Sequence, residues 1–223
     1  MPEYSLQVQF NQSQLDILYA TGSNVVVAKP TGGSSPNVAW QVFKPMRSNK
    51  LGWGEEYGIY ASTARVENGA ELEQLSATPV GAARNKLYTL EPSSNIKGPV
   101  SGGSPDAYCL LNKYDPQPYM TVGLYQDATV NGTDIIGNAL SAVPVLLSSK
   151  ATMTPFTTVY IWLQSQVISN TVVTLVTSPM TQLKYGDGVN TLSVAYDSSS
   201  GKFLSTDGTR ATEALISFID PVL

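Results

Sequence analysis

Lys29 closes the apolar run Asn24-Val-Val-Val-Ala28 and precedes Pro30, which sets an amine at a strand end close to the core. A desolvated lysine can form a Schiff base with a carbonyl ligand, whereas a solvated one at a strand end only carries charge. The other reactive groups read more simply. Glu55 and Glu56 point to opposite sides of an extended chain, and Glu71 and Glu73 share a face. Glycoside hydrolysis needs two carboxyls held roughly 5–10 Å apart across a substrate. No spacing in the chain sets a second acid opposite either group, so both pairs read as solvated surface. Asp187 sits in a Gly-Asp-Gly turn without the oxygen-rich loop that calcium requires, and no metal is expected. Glu56-Tyr57-Gly58 and Lys184-Tyr185-Gly186 have the order of self-cyclising fluorophores. One lies in a strand pattern and the other in a turn, not on a helix inside a barrel, so coincidence explains them.

The absence of histidine from all 223 residues decides more than any of these groups. It removes Ser–His–Asp and Cys–His catalysis, histidine-bound zinc or iron, and imidazole as a general base. No glycine loop has the phosphate-cradling order, and the basic residues are dispersed. The formal charge is −4, so nucleic acid is not an expected partner. Ser–Lys or carboxylate chemistry remains formally open, but no nucleophile–base pair is visible, and the chain reads as non-enzymatic.

Aromatic residues are the remaining functional signal. In Thr157–Leu163 and the residue before it, Phe156, Thr158, Tyr160 and Trp162 share one face, and Thr157, Val159, Ile161 and Leu163 the other. Both faces can be buried, which fits a central strand between two apolar layers. The aliphatic face suits a core. The aromatic face suits a core, a subunit interface or a ligand wall. A second group comprises Trp40, Trp53, Tyr57 and Tyr60. Tyr57 and Ile59 face one way, and Gly58 and Tyr60 the other. Gly52, Gly54 and Gly58 would let a backbone or a flat ligand approach closely. The candidate ligand-binding residues are therefore Lys29, Trp40, Trp53, Tyr57, Tyr60, Phe156, Tyr160 and Trp162.

The elements that must hold these side chains repeat with period two. Tyr4–Phe10 alternates cleanly, and Asn24–Ala28, Asn37–Phe43, Tyr57–Ser62 and Leu87–Leu90 are further strand candidates. So are Tyr119–Tyr125, Thr157–Leu163, Thr171–Thr177, Thr191–Tyr196 and Ala214–Ile219. Gly/Pro-rich turns punctuate them, which describes an all-β, mainly antiparallel sandwich or barrel. One short helix is expected near the N-terminus. Asn11-Gln-Ser-Gln14 offers a capping box, Leu15, Ile17 and Leu18 follow, and Gly22 can end it. Asn68–Leu75 fits a strand or a helical turn about equally. Pro79–Ser104 is more polar and reads as a surface excursion within one domain, residues 1–223.

Cys109 cannot pair internally and reads as a small buried hydrophobe. The opening residues lack a basic segment and an apolar stretch, so no signal peptide and a cytoplasmic location are expected. No apolar run is long enough to span a bilayer.

The segments Val38-Ala-Trp40, Trp53–Ser62 and Thr154–Leu163, with the size of the chain, resemble a group of basidiomycete fruit-body β-proteins that includes the pink chromoproteins of oyster mushrooms. That resemblance implies a non-enzymatic protein holding a small hydrophobic conjugated pigment. Such a chromophore would be held non-covalently in preference to a Schiff base on lysine, in a homodimer that buries one aromatic face. A fruit-body defence protein that recognises sugars or membranes, lectin- or cytolysin-like, is the alternative. A storage protein whose aromatic strands simply pack together is a third reading.

Overall fold

The computed structural model describes residues 3–33 and 35–206. Its first half contains β1 (Glu3–Gln9), α1 (Gln12–Ala20), β2 (Ser23–Ala28), β3 (Val38–Ala39), β4 (Gln41–Phe43), β5 (Ser48–Gly54), β6 (Gly58–Ser62), β7 (Ser76–Ala77), β8 (Lys86–Leu90) and β9 (Ile96–Val100). There follow β10 (Tyr108–Asn112), β11 (Tyr119–Val130), β12 (Thr133–Ala139), β13 (Val143–Leu146), β14 (Lys150–Met153), β15 (Thr158–Ser165), β16 (Thr171–Val172), β17 (Thr181–Lys184), β18 (Thr191–Asp197) and β19 (Lys202–Ser205). The fold is all-β with one short helix among the described residues, as the period-two pattern implies.

The largest sheet runs β19-β18-β1-β5-β11-β6-β7, with β12 and β13 also on β11. A second sheet is ordered β14-β10-β8-β9 and a third β17-β15-β2-β4. Pairing is antiparallel except for β1 with β18 and β8 with β10. β16 and β3 form a fourth, two-stranded sheet, and the other three sheets turn a face to one main core. Leu6, Leu51 and Val122 enter it from the first, Leu90 and Leu110 from the second, and Val27 and Ile161 from the third.

β11 organises the site because both its edges are shared. One edge pairs with β6 at Thr121–Tyr125 and with β5 only at Thr129 and Val130. The other pairs with β13 and then β12, with a bulge between Gln126 and Ala128. Gln126 thus lies at a gap in the ladder, opposite the connection from β5 to β6. A residue inside such a gap has backbone and side-chain polar groups that must find partners elsewhere.

The helix forms as its capping chemistry dictates. Asn11 Oδ1 accepts from the Gln14 backbone N–H at 2.9 Å, and Gln14 Oε1 accepts from the Asn11 N–H at 2.9 Å. Leu15 and Leu18 enter the core, and the chain leaves through Gly22 at φ 63°. Asn11→Ala is expected to cost about 1 kcal/mol, read as a shift in the urea midpoint without a change in m-value. An unchanged midpoint would mean that tertiary packing alone holds this helix.

Several boundaries differ from the sequence pattern. Asn37–Phe43 breaks into β3 and β4 with Trp40 between them, and Thr171–Thr177 shortens to β16. Residues 68–75 form neither helix nor strand, apart from a bridge between Glu71 and Thr171. The polar stretch Pro79–Ser104 contributes β8 and β9 to a sheet on the main core. The strand expected at Ala214–Ile219 lies outside the described residues.

Candidate functional site

Alternation along β2 sends Val25 and Val27 into the main core and Val26 and Ala28 into a satellite cluster. Lys29 comes next in the inward series and is 1% exposed. It belongs to the buried branch of the two readings open to it. Leu51 and Trp53 of β5 are inward residues, and Glu55 continues their parity into the β5–β6 connection. Met120, Val122 and Leu124 of β11 face the same core, and Gln126 follows in step. Two strand ends and the gap in the β11 ladder thereby aim a cation, a carboxylate and an amide at one point.

At that point Lys29 Nζ donates to Gln126 Oε1 at 2.9 Å and to Tyr57 Oη at 3.3 Å, and lies 3.7 Å from Glu55 Oε1. The Tyr57 hydroxyl donates to Glu55 Oε2 at 3.0 Å. The Gln126 amide donates to the Gly54 carbonyl, bridging the gap between β11 and the end of β5. The Gln126 carbonyl accepts from Trp40 Nε1 at 3.0 Å. One glutamine therefore ties the lysine, the tryptophan and the β5 turn together.

The ammonium is caged by rings. Its Nζ lies 5.5 Å from the Trp40 ring centroid, 5.5 Å from Trp53 and 5.3 Å from Tyr57. A desolvated cation–π contact is worth about 2 kcal/mol, and it partly replaces the water the lysine has lost. Trp40 meets Trp53 edge-on at 5.7 Å, and Trp53 also contacts Tyr4 and Tyr185. Burial pulls the Lys29 amine down to about 8, against the opposing pull of Glu55. Burial, reinforced by Glu55, pushes the Tyr57 hydroxyl far above its ordinary value. Near neutrality the site therefore holds a cation and an un-ionised phenol.

Towards solvent the cluster ends in Arg84. Its Nη2 lies 3.9 Å from Glu55 Oε2, its Nε donates to Tyr108 Oη at 3.4 Å, and the guanidinium lies 5.7 Å from the Tyr108 ring. The Glu55 side chain is 15% exposed and that of Arg84 44%. Glu55 Oε1 is buried and accepts no hydrogen bond. Glu55 is thus not the solvated surface acid that its pairing with Glu56 suggests. Glu56 is exposed.

On another side of the cage lies a groove of about 840 Å³. Tyr4, Gly52, Trp53 and Gly54 form part of its lining, and Glu3, Lys50, Asp127 and Asp134 add charge. Trp53 therefore belongs both to the lysine cage and to the groove.

The other sequence candidates separate from this site. Tyr60 faces a second cluster with Val38, Leu72 and Tyr125, and its hydroxyl donates to the Ser141 carbonyl at 2.7 Å. Tyr160 and Trp162 face a third cluster with Val26, Ala28, Ala39 and Val173, against which Val176 and Met180 also pack. The chain itself covers this aromatic face. Phe156 precedes β15 and is exposed. The geometry thus assembles Lys29, Trp40, Trp53 and Tyr57, and adds Glu55, Arg84, Tyr108 and Gln126. A polar residue at an inward position of a strand is the sequence signal for Lys29, Glu55 and Gln126. Nothing local marks Arg84 or Tyr108, which arrive through the second sheet and the loop before it.

Among the described residues no group of three acidic or cysteine side chains is placed to hold a metal, and no helix is long and apolar enough to cross a membrane. No protein-family model matches the chain, and neither curated proteins nor solved structures yield a match.

Proposed function

We propose that this protein is a non-enzymatic binding protein that holds a small, flat, conjugated molecule in the groove beside Trp53. The observation that carries the reading is the double role of that ring. Trp53 lines an open groove of about 840 Å³ and packs 5.5 Å from an internal cation. A conjugated ligand against this ring lies within reach of a fixed positive charge in a low-dielectric wall, which lowers the energy of states that move electron density towards it. Cavities of this size suit small ligands. Glu3, Asp127 and Asp134 outnumber Lys50 in the lining, which favours a ligand with hydrogen-bond donors or positive charge at its rim. The resemblance to fruit-body chromoproteins supports the same assignment.

Protein isolated from its natural source is expected to carry visible absorbance that organic solvent extracts, while intact chain mass equals that of recombinant protein. Rebinding of the extract to a Trp53→Leu variant is expected to be at least about tenfold weaker, the loss of one aromatic contact. Colourless native protein that releases no small molecule on denaturation would sink the reading.

The carbohydrate alternative has its own support. Ser5, Thr129 and Thr191 hydroxyls join Asp127 and Asp134 around Tyr4 and Trp53 in this groove. Such a ring of hydroxyls and carboxylates beside aromatic surface can hydrogen-bond a sugar. A glycan array separates the two, since saturable binding to one glycan class by colourless protein selects the second.

A further inference from the structure

We propose that Lys29 is a covalent capture site for small carbonyl compounds that carry a carboxylate, reached past Glu55 and Arg84 instead of through the groove. Four observations converge on it. The amine is buried, yet the side chain of Glu55, whose Oε1 lies 3.7 Å away, is 15% exposed, so on this side Glu55 stands between Nζ and solvent. A phenolic hydroxyl, Tyr57 Oη, sits 3.3 Å from Nζ and is hydrogen-bonded onward to Glu55. Glu55 Oε1 lies beside Nζ, buried and without a hydrogen bond, so the carboxylate keeps acceptor capacity next to the amine. Arg84 stands at the mouth with long contacts of 3.4 and 3.9 Å, so its guanidinium is available to a carboxylate. At pH 8 about half of the Lys29 amine is neutral, against well under 1% of an exposed lysine.

The chemistry balances without an oxidant or reductant. The neutral amine adds its lone pair to the carbonyl carbon, and its proton moves to the oxygen to give a carbinolamine. As the nitrogen lone pair completes the C=N bond, the hydroxyl departs as water with the Tyr57 proton, and Tyr57 takes up the N–H proton in the same step, so no tyrosinate forms. The net change is amine plus carbonyl to imine plus water.

Reductive trapping tests this on the folded protein. Glyoxylate and cyanoborohydride at pH 8, followed by proteolysis and peptide mass mapping, report carboxymethylation of every lysine in one sample. Lys29 is expected to react at least about tenfold faster than the exposed lysines, which serve as internal references. Tyr57→Phe is expected to slow Lys29 about tenfold and leave the references unchanged, and Arg84→Gln to weaken the dependence on glyoxylate concentration in the same selective way. Lys29 that is unmodified, modified no faster than the surface lysines, or modified only in urea would overturn the assignment. The groove assignment does not depend on this reaction, and its own test concerns a non-covalent guest.

Discussion

The stability curves of the protein and its Lys29→Met variant are expected to converge by about 3 kcal/mol as pH rises from 7 to 11. The size follows from about 1.4 kcal/mol per unit of difference between an unfolded lysine near 10.5 and the folded value near 8. The sign follows from proton counting. Below pH 8 both folded and unfolded chains hold the proton, and the folded state bears the full cost of a buried ammonium. Between 8 and 10.5 the unfolded state binds more protons, so stability rises with pH. The methionine variant lacks that gain. Absolute stability of the parent climbs only to about pH 9 to 10, because burial raises Tyr57, Tyr60 and Tyr185 and their contribution is lost once unfolded tyrosines ionise near 10. Those tyrosines remain in both proteins, so the difference between curves isolates the lysine. Urea titrations at half-unit steps measure it. Parallel curves would show that Lys29 titrates as an ordinary lysine.

The energetic cost of burying such a residue bears on function. A buried charge adds little stability compared with a well-packed apolar side chain of similar volume. Here the compensation is elaborate: one amide, one phenol, one carboxylate and three ring faces surround a single ammonium. Structural packing alone does not require that set. Perturbed amines of this kind concentrate where ligands are held or transformed.

Much of this was legible in the chain, and the failures have definite causes. The period-two pattern carries the fold class because side chains on a strand alternate between two environments, and nearly every long strand here has one face in the main core. The same alternation places Lys29 inward, since Val25 and Val27 set the phase. It places Glu55 and Gln126 inward too, through Leu51 and Trp53 in one case and Val122 and Leu124 in the other. Reading the two acids at 55 and 56 as a pair hid this, because only one of them continues the buried series. The aromatic residues of β15 were visible as a buried face, but what covers that face was not. Val173, Val176 and Met180 lie in a stretch with little regular structure, and their approach depends on the β16–β3 pairing across more than a hundred residues. Strands β12 and β13 went unseen because only one residue of each, Ala139 and Val145, is buried, so they lack an apolar alternation. Arg84 and Tyr108 reach the site by tertiary packing alone.

Trp40→Ala is expected to lower the unfolding free energy by about 4 kcal/mol, the largest effect of any single side chain at the site. Trp40 is fully buried and contributes three separable interactions. Its bulk fills the centre of the core, where removal leaves a cavity that flanking strands cannot close. Its Nε1 donates to the Gln126 carbonyl, which lies at the break in the β11 ladder and has no strand partner on that side. Its ring supplies one face of the lysine cage. Trp40→Phe restores most of the bulk and an aromatic face while leaving the carbonyl unpaired, so it is expected to recover about half of the loss. The variants also separate packing from electrostatics. With the alanine, water enters beside Nζ, desolvation falls, and the Lys29 amine moves back towards its ordinary value. Convergence with the corresponding Lys29→Met double variant should then shrink well below 3 kcal/mol. The phenylalanine keeps the cage dry and should leave that convergence nearly intact. A Trp40→Ala protein that loses stability but retains the full pH-dependent difference would show that Gln126, Tyr57 and Glu55 alone define the lysine's environment, and that the rings serve only as core.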